Sequence, residues 1–377
     1  MRRAALASAL LFTACGPALA QNLDAFTSAL RHAPEALLVQ PARVQFSFVD
    51  IWALKALADL EGMTLGADGL LRTQLGYELR PIAALHAGGV AAWEAKSRVP
   101  LDQLGSVSGF GSIPDNVAIW SLADDTSANS LRDALVADGF APVGEQGALG
   151  NGTPMVPDLR NRDPSNPWRS AVGAASFVMT HGNAVVQAAR PEVLPILLDG
   201  QRSVAENTIV ATALTGLEQS AGDGWIVQAM VISPAFGAGR VDFSSFTVPD
   251  GGSSAQMREK IEASLEASAK GIPFYLGGVI ADVQLDGPGV AIALVYPDCT
   301  TAGAAAEAIA KRWVETMPET AQGKMTVTSG DSVNGLCSAL VTVFGSSEAS
   351  SVNPIFKALF EMDIRGQFSV LQIGAVD

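Results

Sequence analysis

Two distant stretches of this chain read as the same structural unit. "NVAIWSL" is followed by "ADDTS" and then "ANSLRDALVADG"; later comes "GVAIALVYPDCTTAGAAAEAIAKRW". Aligned without gaps, Val117-Ala118-Ile119 falls on Val290-Ala291-Ile292, and Asp125 falls on Asp298, an offset of 173 residues. Each copy is an apolar strand, a short acidic turn, a hydroxyl-bearing cap and a helix. Each is followed by a hairpin and then a helical pattern: "ASFVMTHGNAVVQAA" with "RPEVLPILL", and "CSALVTVFGS" with "VNPIFKALFEM". Hairpins alternating with helices disfavour a purely parallel sheet. The expectation is an α+β fold of antiparallel or mixed sheets, with helices packed on one face, built as two duplicated halves. The N-terminal half spans residues 21–205 and the C-terminal half 206–377.

Smaller signals agree. "NLDAFTSALRHAP" places Leu23, Phe26 and Leu30 on one helical face, with Asn22 as cap and Pro34 as stop. "VQFSF" alternates Val44, Phe46 and Phe48 against Gln45 and Ser47, the pattern of a half-buried strand. Asp50 caps the helix that follows and Gly62 ends it. A further amphipathic helix is expected over "SSAQMREKIEASLEASAKG", with Met257, Ile261 and Leu265 on its stripe. Asn353 and Pro354 open another, and "FSVLQIG" reads as a terminal buried strand.

The first twenty residues read as an address. Arg2 and Arg3 precede an apolar stretch from Ala4 to Ala14, and Ala18-Leu19-Ala20 supplies the small residues of a signal-peptide cleavage site. Cleavage there removes 20 of the 377 residues and leaves 357 beginning at Gln21. Lipid attachment at Cys15 is the lesser alternative, because Phe12 stands where such signals carry leucine. The expected location is the periplasm or the secreted fraction. No later apolar run is long enough for a transmembrane helix. The net charge of −14, which becomes −16 when both arginines leave, disfavours nucleic acid and anionic lipid as partners. Cys299 and Cys337 remain as an even pair in an oxidising compartment and are expected to form a disulfide.

Chemistry is sparse. His32, His86 and His181 show no helical metal-ligand spacing, and His181 in "THGNA" reads as a hairpin residue. His86, in the apolar "ALHAGG", reads as a satisfied core or helix-end residue. "GSVSG" at 105–109 spaces its serines wrongly for a nucleophile elbow, and "GFGSIP" lacks the third glycine of a dinucleotide loop. No cofactor or metal is implied. The most unusual stretch is "TPMVPDLRNRDPSNPWRS", where Arg160, Arg162 and Arg169 gather with Trp168 on an acidic protein. Arginine forks bind carboxylate or phosphate and an exposed indole stacks on rings, so these four are the candidate ligand-binding residues. The bland alternative is a solvated loop whose arginines pair with Asp158 and Asp163 and whose Trp168 packs on the core. The sequence favours a non-catalytic binding or envelope scaffold protein, taking a small anionic ligand or an envelope protein partner. A secreted hydrolase using carboxylate or arginine chemistry is the alternative.

Overall fold

The central strands are buried on both sides, and that sets the architecture. A computed structural model describes residues 18–40, 42–62, 65, 72–144, 147–169, 171–194, 201–221, 224–238, 270–345, 351–365 and 370–375. Residues 1–17 of the signal segment, Cys15 among them, the expected helix carrying Met257, Ile261 and Leu265, and parts of "RPEVLPILL" and "FSVLQIG" lie outside the described residues, whereas Ala18-Leu19-Ala20 opens the first helix.

The helices are α1 (Ala18–Arg31), α2 (Ile51–Leu60), α3 (Arg80–Ser97), α4 (Asp125–Ala137), α5 (Thr208–Ala221), α6 (Cys299–Thr316) and α7 (Pro354–Ile364). The strands of the first half are β1 (Val44–Asp50), β2 (Leu104–Phe110), β3 (Val117–Leu122), β4 (Ala141–Val143), β5 (Ala148–Gly150), β6 (Phe177–His181) and β7 (Ala184–Ala188). Those of the second are β8 (Trp225–Ile232), β9 (Gly277–Gln284), β10 (Pro288–Tyr296), β11 (Lys324–Ser329) and β12 (Cys337–Phe344). All twelve form one antiparallel sheet in the order β11-β12-β10-β9-β8-β1-β2-β3-β7-β6-β5-β4.

That order is symmetric about its middle. From the β1–β8 pair outward, one side runs β1-β2-β3-β7-β6 and the other β8-β9-β10-β12-β11, with β4 and β5 added at one edge. A helix precedes β1 and β8, and a capped helix follows β3 and β10. The topology therefore repeats, but the gapless alignment is one residue out. Asp124, not Asp125, accepts the Ser127 N–H at 2.7 Å to cap α4, and Asp298 accepts the Thr301 N–H at 2.8 Å to cap α6. The hydroxyls of Ser127 and Thr301 donate back to the same carboxylates. An offset of 174 also matches faces, placing Ala118 on Ile292, both under the capped helix. The offset of 173 sets Val117 on Val290, which lie on opposite faces of the sheet. A one-residue slip inverts every side chain of a strand.

The α+β class is as read, but helices cover both faces rather than one. On the first face α1 and α5 pack on Phe46, Phe48, Ile119, Ala291 and Ala293. On the second, α2, α3 and α4 cover Val107, Ala118 and Trp120, while α6 and α7 cover Val290, Ile292 and Leu294. The first face is one continuous apolar layer across both halves. "VQFSF" is accordingly buried on both sides: Gln45 is buried and donates to the Leu38 carbonyl at 2.8 Å, and a register shift turns Val44 away from Phe46.

A short segment locks the halves together on the second face. Arg72 donates to the Asp282 carboxylate on β9 and, at 2.6 Å, to Gln284. Gln228 of β8 and Asn353, the cap of α7, donate to the same carboxylate. Both charges are buried, so the pair depends on these hydrogen bonds to offset its desolvation. Leu75 and Leu79 of the same segment then enter the second-half and first-half layers respectively.

The cysteines meet as expected. Cys299 opens α6 and Cys337 opens β12 after the Asn334-Gly335 turn, whose two residues have φ of 51° and 83°. Positive φ at both positions is what an Asn-Gly hairpin turn supplies. The sulfurs are bonded and the Cα atoms lie 4.9 Å apart. Among the described residues no helix is long and apolar enough to cross a membrane.

Candidate functional site: a tryptophan-walled pocket

The arginine–tryptophan group does not assemble into a site wall. Trp168 is 3% exposed and stacks on Trp120 with ring centres 4.6 Å apart; Trp120 in turn stacks on Trp93 at 5.6 Å. Its indole N–H donates to the Ser97 carbonyl, and Phe140 meets its edge. It is a core plug that fastens the loop, whereas Arg160 and Arg162 are exposed. Asp163 takes Lys96 as its partner at 2.7 Å, and Asp158 holds its own turn through Asn161, also at 2.7 Å. Half-buried Arg169 lies near Asp158 and contributes to holding that carboxyl below its usual range, after the larger effect of Asn161. Buried Pro167 is tied by its carbonyl to Gln187.

A different place gathers chemistry. Period-two alternation puts Asp50 on the same face of β1 as Phe46 and Phe48. The register then carries a polar row across the sheet. Asp50 lies opposite Ser106 of β2, and Ser106 lies opposite Ser121 of β3. At this end of the first face the apolar layer therefore gives way to a carboxyl and two hydroxyls. They form the floor of a cavity of about 630 Å³, within the range of small-ligand sites. The helix α1 contributes Asp24 and Ser28, and Asn183 of the β6–β7 turn stands at the margin. Asn183 is pinned there by donating to the Leu122 carbonyl at 2.8 Å.

Two indoles complete the lining, Trp52 at the start of α2 and Trp225 at the start of β8. Trp52 is 48% exposed but not loose. Its N–H donates to the Asp102 carbonyl at 3.2 Å, and its six-membered ring lies over Gly105. A Cβ at Gly105 would lie 3.5 Å from that ring, an ordinary contact, and 3.3 Å from the Ser121 carbonyl.

Asp50 is the electrostatic centre. Burial pushes its carboxyl up to about 7, against the opposing pull of the Ala53 and Trp52 N–H groups that it caps. Near neutral pH it therefore exchanges between charged and neutral forms. Among the described residues that line the cavity there is no lysine, arginine or histidine.

Asp50 was legible as a helix cap; its second role follows only from the alternation that aligns it with Phe46 and Phe48. Nothing local marked Trp52, Trp225, Ser106, Ser121 or Asn183. The histidines lie elsewhere. His86 bonds Thr73 and packs at a tilt against the Tyr77 ring, as a satisfied helix residue does. His32 and His181 approach edge to face with ring centres 6.4 Å apart, and no group of three metal-ligating side chains forms among the described residues.

Fold and site together define a protein of two topologically alike α+β halves sharing one antiparallel sheet, with an acidic pocket built mainly from the first half and walled by Trp52 and by Trp225 of the second. Comparisons with protein-family models, curated proteins and solved structures found no match to this chain.

Proposed function

We propose that this is an exported, non-catalytic binding protein that holds a small molecule in the Trp52–Trp225 pocket. The observation that carries the reading is the pocket itself: a cavity of ligand size with a polar floor and indole walls, in a molecule otherwise packed on both faces. The disulfide and the amino-terminal signal pattern support export. The anionic ligand expected from the arginine loop does not suit this pocket, whose charged lining residues are carboxylates. Native mass spectrometry of protein isolated without detergent tests the reading. It predicts a co-purifying small molecule that Trp52→Ala releases. Retention of the same adduct by Trp52→Ala would remove the pocket from consideration.

One observation favours the second reading, a hydrolase. A carboxyl poised near pH 7 in a pocket with two hydroxyls is the setting of a general base. That reading predicts turnover of ester or glycoside substrates that Asp50→Asn abolishes.

A further inference from the structure

We infer that the outer edge of β11 pairs with β11 of a second copy of this chain, antiparallel about a two-fold axis at Val327, so that two sheets join into one. This surface is separate from the pocket and does not depend on it.

A sheet edge presents a row of N–H and C=O groups on which another strand can pair. The two edges here differ. β4 is three residues long and carries Pro142, and both features blunt an edge. β11 runs for six residues, has no proline, and pairs with β12 from Lys324 to Ser329 without a register shift. One step further on, the Gly330 N–H donates to the Ser338 carbonyl at 2.8 Å. Antiparallel bonding alternates along a strand. Thr326 and Thr328 therefore bond inward to β12, and Met325, Val327 and Ser329 turn their N–H and C=O groups outward. Among the described residues no strand lies beyond β11, and no backbone bond from outside the sheet reaches these three. In the first half the matching strand, β6, has its outer edge covered by β5. The equivalent place beside β11 is the one left open.

The edge is complementary to itself. Thr326-Val327-Thr328 reads the same in both directions. An antiparallel copy centred on Val327 sets Val327 against Val327, Met325 against Ser329 and Thr326 against Thr328, and the outward groups then exchange their bonds. Threonine pairs across strands are favourable. A two-fold axis perpendicular to the sheet keeps each face on its own side. Met325 and Val327 pack on the second-face layer and so meet the other copy beneath that layer, while the exposed Thr326 and Thr328 meet on the first face. Lys324, the charged residue of β11, falls at opposite ends of the joint ladder and opposes no like charge across it. The joined sheet ends in β4 on both sides, so the assembly closes at two. The ladder is short and each chain carries −14, so the dimer is weak and gains from salt that screens the repulsion.

The test is sedimentation equilibrium of the purified protein over a concentration series, with amide hydrogen exchange read residue by residue at its two ends. The mass should rise from one chain towards two and no further, more readily at high salt. The N–H groups of Met325, Val327 and Ser329 should exchange at least about tenfold more slowly in the concentrated sample, while those of Thr326 and Thr328 are slow in both. Val327→Pro and Ser329→Pro each remove an outward donor and spare the bonds to β12, so each should keep the chain monomeric with its circular dichroism unchanged. If both variants unfold, exchange in the unaltered chain decides. A monomer at every concentration overturns the inference, as does a mass that grows past two chains. A dimer that both proline variants leave intact, or one in which the three outward amides stay fast, places the contact elsewhere and overturns it. Outward amides that are slow at every dilution mean that another part of this chain covers the edge, which overturns it equally.

Discussion

Replacing Asp50 by Asn should abolish a pH dependence of stability that a helix cap does not ordinarily create. In the folded chain burial holds the Asp50 proton up to about pH 7, while an unperturbed aspartate releases it near 3.8. Between those values the folded state binds a proton that the unfolded state has lost, so stability falls as pH rises. The interval, at about 1.4 kcal/mol per pH unit, amounts to about 4 kcal/mol, absent below pH 3.8 and complete above pH 7. Asn caps a helix about as well as Asp, so the amide retains the Ala53 N–H bond and carries no charge to desolvate. The assay is urea unfolding of both proteins from pH 4 to 8, followed by far-ultraviolet circular dichroism. The variant should match the wild type near pH 4 and exceed it by about 4 kcal/mol at pH 8. His32 and His86, held below their usual range chiefly by burial, add a slope of opposite sign below pH 6.5, which cancels in the difference. A difference that stays flat across this range, or a wild type that gains on the variant as pH rises, would refute the burial argument.

Other outcomes follow from the packing. Reducing Cys299–Cys337, or replacing both residues by Ser, opens a loop of 38 residues and should cost about 3.5–4 kcal/mol in denaturant unfolding. Trp168→Ala removes the outer ring of the Trp93–Trp120–Trp168 stack and should cost about 3–5 kcal/mol. The exposed pair Arg160→Ala with Arg162→Ala should change stability by less than about 0.5 kcal/mol, and calorimetry against small anionic ligands decides whether those residues bind anything. Arg72→Leu removes the buried ion-pair partner of Asp282 on the second face and should cost about 3–5 kcal/mol. Changing Asp282 to Leu as well should recover much of that loss, which unfolding of the single and double variants measures.

The sequence by itself determined the local events. Asp50, Asn353 and Asp298 cap helices because a short side-chain oxygen reaches the first free N–H groups whatever packs above them. Gly62 and Gly139 end helices in the left-handed region that their lack of a Cβ allows, and Asn334-Gly335 makes its turn for the same reason. The cysteine pair followed from parity and the export pattern expected of the first twenty residues, and the antiparallel α+β class from hairpins alternating with helices. Tertiary structure decided which face each residue serves. A strand buried on both sides loses the polar–apolar alternation that reports its faces. Thus helices on both sides went unread, and the two strand–helix units were aligned one residue away from the register in which the cap residues Asp124 and Asp298 correspond. Trp168 shows the same limit, since a proline-rich loop with arginines looks alike whether its indole points outward or into a stack with Trp93 and Trp120. The pocket was the least legible feature, because its parts run from Asp24 to Trp225 and meet only through strand register. Local propensity acts over a few residues, whereas a cavity is set by where two helices and four strands stop covering one another.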